Sequence, residues 1–413
     1  MPGQFFSPEG DLEEHFITNH WLIDQYIGDQ LWGWSVNSSG QLGINSTLFK
    51  TTPVQEWSSS TNWTQVSGIS NNLLTPHSAA IKSDGTLWLW GGNSAGQLGV
   101  NDRIARSTPV REWTSSTNWR QVFLGSGVTA AIKTDGTLWL WGGTLGFNDS
   151  ILQRSTPSQE FTSSTNWKQI VIRRGNRNDF NAIKTDGTLW TWGSNDFGLL
   201  GRADISLSSA RSTPVQEFTS STNWKFLLGG MDAIHSAAVK TDGSLWAWGT
   251  NNDGSLGMAG TGASIQTTPR QVILTLNENI KSGFCGNRST HVIKSDGTLW
   301  SWGQNYSREL GNSNPLPTSS AVQEASYSTN WKSVNGVYGG KQIIFGIKTD
   351  GTLWGWGGNQ VIGGLLFPST SAASQVLIST PIQEQSSSTN WKQVSGALAI
   401  RTGIEMDTGN LTS

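Results

Sequence analysis

Short apolar runs alternate with polar turns along this chain, and the alternation returns on a fixed schedule. Between Ala130 and Val171, Ala130-Ala131-Ile132-Lys133 is apolar, Thr134-Asp135-Gly136-Thr137 is polar, and Leu138-Trp139-Leu140-Trp141 is apolar again. Such runs bounded by turn residues predict strands. Asp-Gly between two of them predicts a hairpin, because glycine takes positive φ without steric cost. The turn returns at Asp84-Gly85, Asp186-Gly187, Asp242-Gly243, Asp296-Gly297 and Asp350-Gly351.

A Gly-rich loop follows, then a Thr-Pro segment ending in glutamate, as in Thr52 to Glu56, Thr108 to Glu112, Thr213 to Glu217 and Thr380 to Glu384. Proline lacks a ladder donor, so this reads as a third strand near the sheet's outer edge. A Ser-Ser-Thr-Asn turn then leads to Trp63, Trp119, Trp167, Trp224, Trp331 and Trp391. Each opens a run of the Trp-Lys-Gln-Val kind, which reads as the fourth strand. The fifth unit has Asn279-Ile280-Lys281 there and is the one expected to be irregular.

Seven Leu-Trp-any-Trp pairs mark the units: Trp32/Trp34, Trp88/Trp90, Trp139/Trp141, Trp190/Trp192, Trp246/Trp248, Trp300/Trp302 and Trp354/Trp356. Their spacing of about 51 to 56 residues is that of a four-stranded propeller blade. The predicted fold is all-β, a seven-bladed β-propeller over residues 28–413 preceded by an arm at 1–27. Period-two alternation puts both tryptophans of a pair on one face, expected to be the buried one. The residue between them drifts from Leu140 through Thr191 and Ala247 to Gly355. The chain enters at Asp29 without an Ala-Ile-Lys run and ends with one at Ala397 to Thr402. Strands from the two ends are therefore expected to share one blade and close the ring.

The string Ser83-Asp84-Gly85-Thr86-Leu87-Trp88-Leu89-Trp90-Gly91-Gly92-Asn93-Ser94-Ala95-Gly96-Gln97-Leu98-Gly99 resembles the repeat of the regulator of chromosome condensation family. Gly40 to Gly43 repeats the closing tetrapeptide, and Gly198 to Gly201 and Gly254 to Gly257 approximate it. The resemblance implies a seven-bladed propeller. Its members include nucleotide exchange factors, a plant ultraviolet photoreceptor, secreted β-lactamase inhibitors and many repeat proteins of unassigned role, so it speaks to fold more than to function. The photoreceptor's Gly-Trp-Arg-His-Thr motif is absent here, as is a basic chromatin-binding tail. The general character of the repeats also resembles proteins of marine bacteriophage and bacterial genomes.

Composition narrows the chemistry. Charged residues are 14% of 413, with a net charge of -2, so no global field favours nucleic acid or an anionic membrane. The lone Cys285 rules out an internal disulfide framework and reads as a buried thiol. His77 and His235 each precede an Ala-Ala strand and read as structural hydrogen-bonding groups; His291 has no metal-ligand spacing to either. Each turn aspartate is explained by its turn, and no serine sits in a nucleophile elbow. The expectation is a protein that is not an enzyme, with no metal and no cofactor. No signal peptide or eighteen-residue apolar stretch occurs, which points to the cytoplasm, or to a virion if phage-encoded.

Strand parity places the Asp-Gly and Ser-Thr-Asn turns on one rim and all irregular loops on the other. Recognition by that second rim would use Arg103, Arg106, Arg154, Arg173, Arg174, Arg177, Arg202, Tyr306 and Arg308. The same pattern also suits a tolerant solvated edge. In the arm, Phe16, Trp21, Leu22 and Tyr26 either attach the protein to a partner or cap the propeller floor. The leading expectation is a binding or assembly module, a bacteriophage tail, fibre or capsid-decorating component, with a protein or surface glycan at the loop rim. The alternative is a regulatory propeller acting on a GTPase or an enzyme.

Overall fold

The computed structural model describes residues 25–413 apart from 69–75, 144, 146–152, 174–177, 204–209, 231–232, 259–264, 274–278, 339–341, 360–375, 385–387, 396–397 and 406–413. Within them the chain forms seven four-stranded antiparallel sheets. Blade two is typical. Its strands are Trp63–Gly68, His77–Lys82, Leu87–Gly91 and Arg106–Arg111, in that spatial order.

That order corrects the sequence reading. The Trp-Lys-Gln-Val run is not the fourth strand of a blade but the first strand of the next one. Trp119–Gly125 pairs with Val128–Lys133, and the Thr-Pro strand Arg106–Arg111 ends its own sheet. The Ser-Thr-Asn segment is therefore a crossing between blades. Asn118 and Trp119 lie between two Asp-Gly turns, Trp119 N–H donating to Gly85 O of blade two and Asn118 O accepting from Thr134 N–H of blade three.

First strands are innermost, and at three of the junctions a glutamine amide clasps one to its neighbour. The Gln65 Nε2–H donates to Val122 O at 3.3 Å while Val122 N–H donates to Gln65 Oε1 at 3.1 Å. Gln169 does the same with Leu227, and Gln393 with Val66. The unit expected to be irregular, with Ile280, supplies Ile280–Cys285 as the first strand of a complete sheet. Its register slips after the first residue as in the other blades.

Blade one joins the two ends of the chain in the order Lys50–Gln55, Gln25–Ser35, Leu398–Glu405, Trp391–Ser395. Its long central pairing runs from Gln25 opposite Glu405 to Gly33 opposite Leu398. The strand begins ahead of the expected boundary, and the backbone of Tyr26, read as part of the arm, faces Ile404 within it. Phe16, Trp21 and Leu22 lie outside the described residues.

Both faces of each sheet are buried. Trp90 packs with Leu31 and Leu42 of blade one, whereas Leu89, its immediate neighbour, packs with Trp119 and Trp141 of blade three. Leu140 is 0% exposed, like Trp141, so the varied position between the tryptophans is as enclosed as the second tryptophan of the pair. It varies because it meets a different neighbour in each junction, not because it meets water. The first tryptophan of each pair is half-buried instead.

The recurring polar residues are junction parts. Asp84 Oδ1 accepts from the Thr86 N–H and hydroxyl, and Thr86 Oγ1 accepts from the Trp88 indole. These bonds hold the Asp84 carboxyl below the usual carboxylate range. In every blade but the fifth, which has Val272 there, a buried glutamate closes the outer strand and reaches the next blade: Glu112 accepts from the Trp119 indole at 3.1 Å and Glu217 from Trp224 at 3.1 Å. Lys133 lies over the Trp119 and Trp139 rings at 4.7 and 4.3 Å from their centroids. Burial lowers its ammonium below the usual lysine value, opposed by Glu112 and Asp135.

Candidate functional site

The loop rim is built on a rigid base. After the second tryptophan of the pair, in six of the blades, a glycine turns the chain at positive φ; at Gly91 (φ 100°) a side chain would collide with His77 Cα and Pro76 O at 2.7 Å. An asparagine then organises the loop from within. Asn93 Oδ1 accepts from Leu98 N–H at 2.9 Å while its Nδ2 donates to Asp102 O and Ile104 O. Asn37, Asn195, Asn251 and Asn305 hold Leu42, Leu200, Leu256 and Leu310 alike. Buried groups thus fix the loop base and leave the tip free to carry other side chains.

The predicted recognition residues divide into several environments. Arg103 is exposed at a loop tip. Beside it Arg106 forms a 2.6 Å ion pair with Asp102, both half-exposed. Arg154 heads the outer strand of blade three and donates to Ser158 Oγ at 3.1 Å. Arg202 is half-buried, its Nη1 donating to Gln216 O in the outer strand of blade four at 3.5 Å. Arg308 is half-buried at φ 65°, and Arg174 and Arg177 lie outside the described residues.

Arg173 is a correction. It is 0% exposed, closing the first strand of blade four opposite Asp179, and its Nη2–H donates to Leu228 O of blade five at 3.4 Å. The strand Trp167–Arg173 runs one residue further than its Arg-Arg ending suggests, so the first arginine is core and not rim. Burial pushes the Asp179 carboxyl well above its ordinary value, opposed by Arg173.

Tyr306 is where the structure gathers a surface cluster. Its ring is 59% exposed and its hydroxyl donates to Asp253 Oδ1 at 3.0 Å. Arg288 reaches the other oxygen, Nη1 to Oδ2, at 3.4 Å. The Asp253 carboxylate raises the Tyr306 phenol above its usual value. Blade five supplies Asp253 from its outer loop, while blade six supplies Arg288 and Tyr306 from two loops. Sequence reasoning named only Tyr306. Asp253 and Arg288 lie 35 residues apart and neither stands in a motif, so only the third dimension joins them.

Beneath this rim the heads of the second strands carry enclosed polar groups. His77 Nε2 meets Thr129 Oγ1 at 3.0 Å, and His235 Nε2 meets Thr290 Oγ1 at 2.7 Å, each across a blade junction, as the histidine reading expects. Burial pushes His235 and His291 down to about 3 and the Cys285 thiol up to about 12, so imidazoles and thiol stay neutral. Ser289 Oγ lies 2.9 Å from His291 Nε2, but both side chains are fully buried. Glu309 takes the place held by glutamine in Gly40 to Gly43 and Gly96 to Gly99. Its Oε2 accepts from Ser307 N–H at 2.7 Å, as Gln97 Oε1 accepts from Ala95 N–H at 2.9 Å. Among the described residues no group of three or more His, Cys, Asp or Glu could hold a metal ion, and no helix is long and apolar enough to cross a membrane.

Residues 84–132 and 242–293 match the regulator of chromosome condensation (RCC1) repeat. The ultraviolet-B receptor UVR8 of Arabidopsis thaliana is 27% identical over 305 residues, 71% of this chain and 65% of that protein. The mitochondrial RCC1 domain-containing protein RUG3 of the same plant is 28% identical over 62% of this chain and 64% of its own length. This chain thus covers less than two thirds of either relative. Yeast RCC1 (Prp20), solved bound to Kap60, superposes with a TM-score of 0.73 at 17% identity, over 98% of this chain and 97% of that one. None of these similarities is to a bacteriophage protein. The chain folds as a seven-bladed β-propeller like that of yeast RCC1, and two of its stretches, 84–132 and 242–293, are similar to the RCC1 repeat.

Proposed function

We propose that this propeller is a non-enzymatic binding module that engages a protein partner through its loop rim, in a regulatory role of the exchange-factor or inhibitor type. One observation carries the reading: the exposed Tyr306 is held by the partly buried Asp253 and Arg288, from two blades, in a mutually oriented cluster on a rigid base. Arginine and tyrosine are the side chains most often dominant at interfaces, and pre-orientation lowers the ordering cost of binding. Arg103 and the Arg106–Asp102 pair extend the surface. The near-zero net charge favours a protein over nucleic acid, and the reading needs no cofactor. The similarity to plant and yeast proteins supports the regulatory role over that of a virion component, which rests on the character of the repeats alone. On the regulatory reading the protein acts inside the cell; as a virion component it would travel with the particle.

Photo-crosslinking tests the face. A benzophenone side chain at position 306 or 103 should capture a partner that the same group at position 84, on the opposite rim, does not. Tyr306→Ala with Arg288→Ala should then weaken that partner at least tenfold. Capture from position 84 alone reverses the assignment. Accelerated release of a fluorescent guanine nucleotide from a small GTPase would establish the exchange type, and copurification with phage particles would establish the virion reading instead.

A further inference from the structure

The Asp-Gly rim is monotonous in sequence, yet its outer edge carries a row of exposed rings. The residue directly after the buried glutamate is Trp57, Trp113, Phe161 and Phe218 in four consecutive blades, each 59–63% exposed. Packing within the protein does not account for these side chains, since the glutamate beside each is almost wholly enclosed.

Beside each ring lies the same relay of hydroxyls. Lys133 Nζ donates to Ser116 Oγ at 3.0 Å, Ser116 Oγ lies 2.9 Å from Thr114 Oγ1, and Thr114 Oγ1 donates to Glu112 Oε2 at 2.7 Å. The relay recurs as Lys82-Ser60-Ser58-Glu56, Lys184-Ser164-Thr162-Glu160 and Lys240-Ser221-Thr219-Glu217. An ammonium only donates and a carboxylate only accepts, so the proton order is fixed along the row. Every hydroxyl hydrogen is consumed inside the relay, and each hydroxyl oxygen keeps one lone pair for an outside donor. A ligand that fits must offer an apolar face to the ring and O–H donors to the oxygens. The relay itself carries no net charge, and the nearby Arg111 donates to Ser115 O.

We propose that this edge is a carbohydrate-binding surface for a neutral glycan chain, each ring stacking on the C–H face of one sugar while the adjacent serine and threonine oxygens accept its hydroxyl hydrogens. A second copy of the chain suits the edge less well. The rings stand one per blade, separated by at least the face-to-face spacing of packed sheets, about 10 Å, with hydroxyls between them. They form no contiguous apolar patch of the kind that protein interfaces bury. Repetition suits a repeating ligand, since several weak sites on one scaffold bind a polymer by avidity. In blade six Ala325 replaces the ring but the relay persists, and Tyr327, 70% exposed, stands two residues on.

Affinity electrophoresis through gels containing galactomannan, dextran or hydroxyethylcellulose, with heparin as a charge control, tests this on the full chain. At least one neutral polysaccharide should retard the wild type, and heparin should not. The W57A/W113A/F161A/F218A variant should migrate freely with an unchanged melting temperature, while the loop-rim variant Y306A/R288A should be retarded like the wild type. Should the fourfold variant fold poorly, W57A/W113A should lose most of the retardation. Retardation by none of the three, by heparin alone, or equally for the ring variants overturns the proposal. So does sedimentation showing that the ring substitutions convert a dimer to a monomer.

Discussion

The carboxylate of Glu112 and the indole of Trp119, seven residues apart in sequence, meet at 3.1 Å across a blade boundary. The same carboxylate accepts from Thr114 N–H and from Ser116 N–H at 2.8 Å. One side chain thereby shapes the crossing turn and anchors the next blade.

Glu112→Gln replaces one acceptor oxygen by a donor facing donors already in place. A loss of about 2 kcal/mol follows from leaving buried groups unpaired, and more for Glu112→Ala. Denaturant unfolding of both variants measures it; wild-type stability in Glu112→Gln would mean the carboxylate is dispensable.

Leu140→Ala and Trp141→Ala should both be costly, about 2–5 and 3–5 kcal/mol, since each empties a different junction. A loss under 1 kcal/mol for Leu140→Ala would contradict the burial of both sheet faces.

Arg173→Ser should destabilise by about 2 kcal/mol or more, because it empties a fully buried site and removes the donor to Leu228 O across the blade junction. An arginine on a solvated rim would lose within about 0.5 kcal/mol. Chemical denaturation separates the two.

Burial raises Glu309 from 4.5 to about 7. Between those values the folded protein holds a proton that the unfolded chain releases, so this group's contribution is complete below pH 4.5 and is lost as pH rises through 7. Glu309→Gln restores the residue found at Gln41 and Gln97. It should match the wild type near pH 4.5 and exceed it at pH 8 by roughly 3 kcal/mol, the equivalent of the shift. His235 and His291, held down to about 3, act oppositely, their contribution being lost as pH falls from 6.5. They affect wild type and variant equally, so the difference between the two curves isolates Glu309.

Removing Trp391 to Ser413 takes the two inner strands from blade one and bares the Gln25–Ser35 edge. Aggregation or loss of cooperative unfolding should follow; a monomer with an unaltered melting temperature would refute closure by these strands.

Period, turn chemistry and shared closure were legible in the sequence because each rests on local residue types: Asp-Gly, Thr-Pro and paired tryptophans. The phase of the blade was not. Whether Trp119 ends one sheet or begins another depends on a crossing segment held by Gly85 and Thr134, which no local propensity encodes. On the rim, exposed Arg103 and Tyr306 followed from loop position, whereas Arg173 was misplaced because a strand running one residue further cannot be told from a loop by composition. The exposed rings after four of the glutamates stood in plain view in the sequence. Their accessibility became visible only when the glutamates beside them proved to be buried.

In five of the outer loops, among the described residues, a closing glycine lies directly against the indole nitrogen of the following blade: Gly43 under Trp90, Gly99 under Trp141, Gly201 under Trp248, Gly257 under Trp302 and Gly311 under Trp356. A β-carbon at Gly99 would come within 2.6 Å of that nitrogen. The complementary pair is thus divided between successive units and never held within one. A duplicated or transplanted repeat brings half of each match, and any neighbour of the same kind supplies the other half. Selection on such a chain therefore acts on seams more than on modules, and sequences can exchange freely between blades as long as every seam keeps its glycine and its tryptophan.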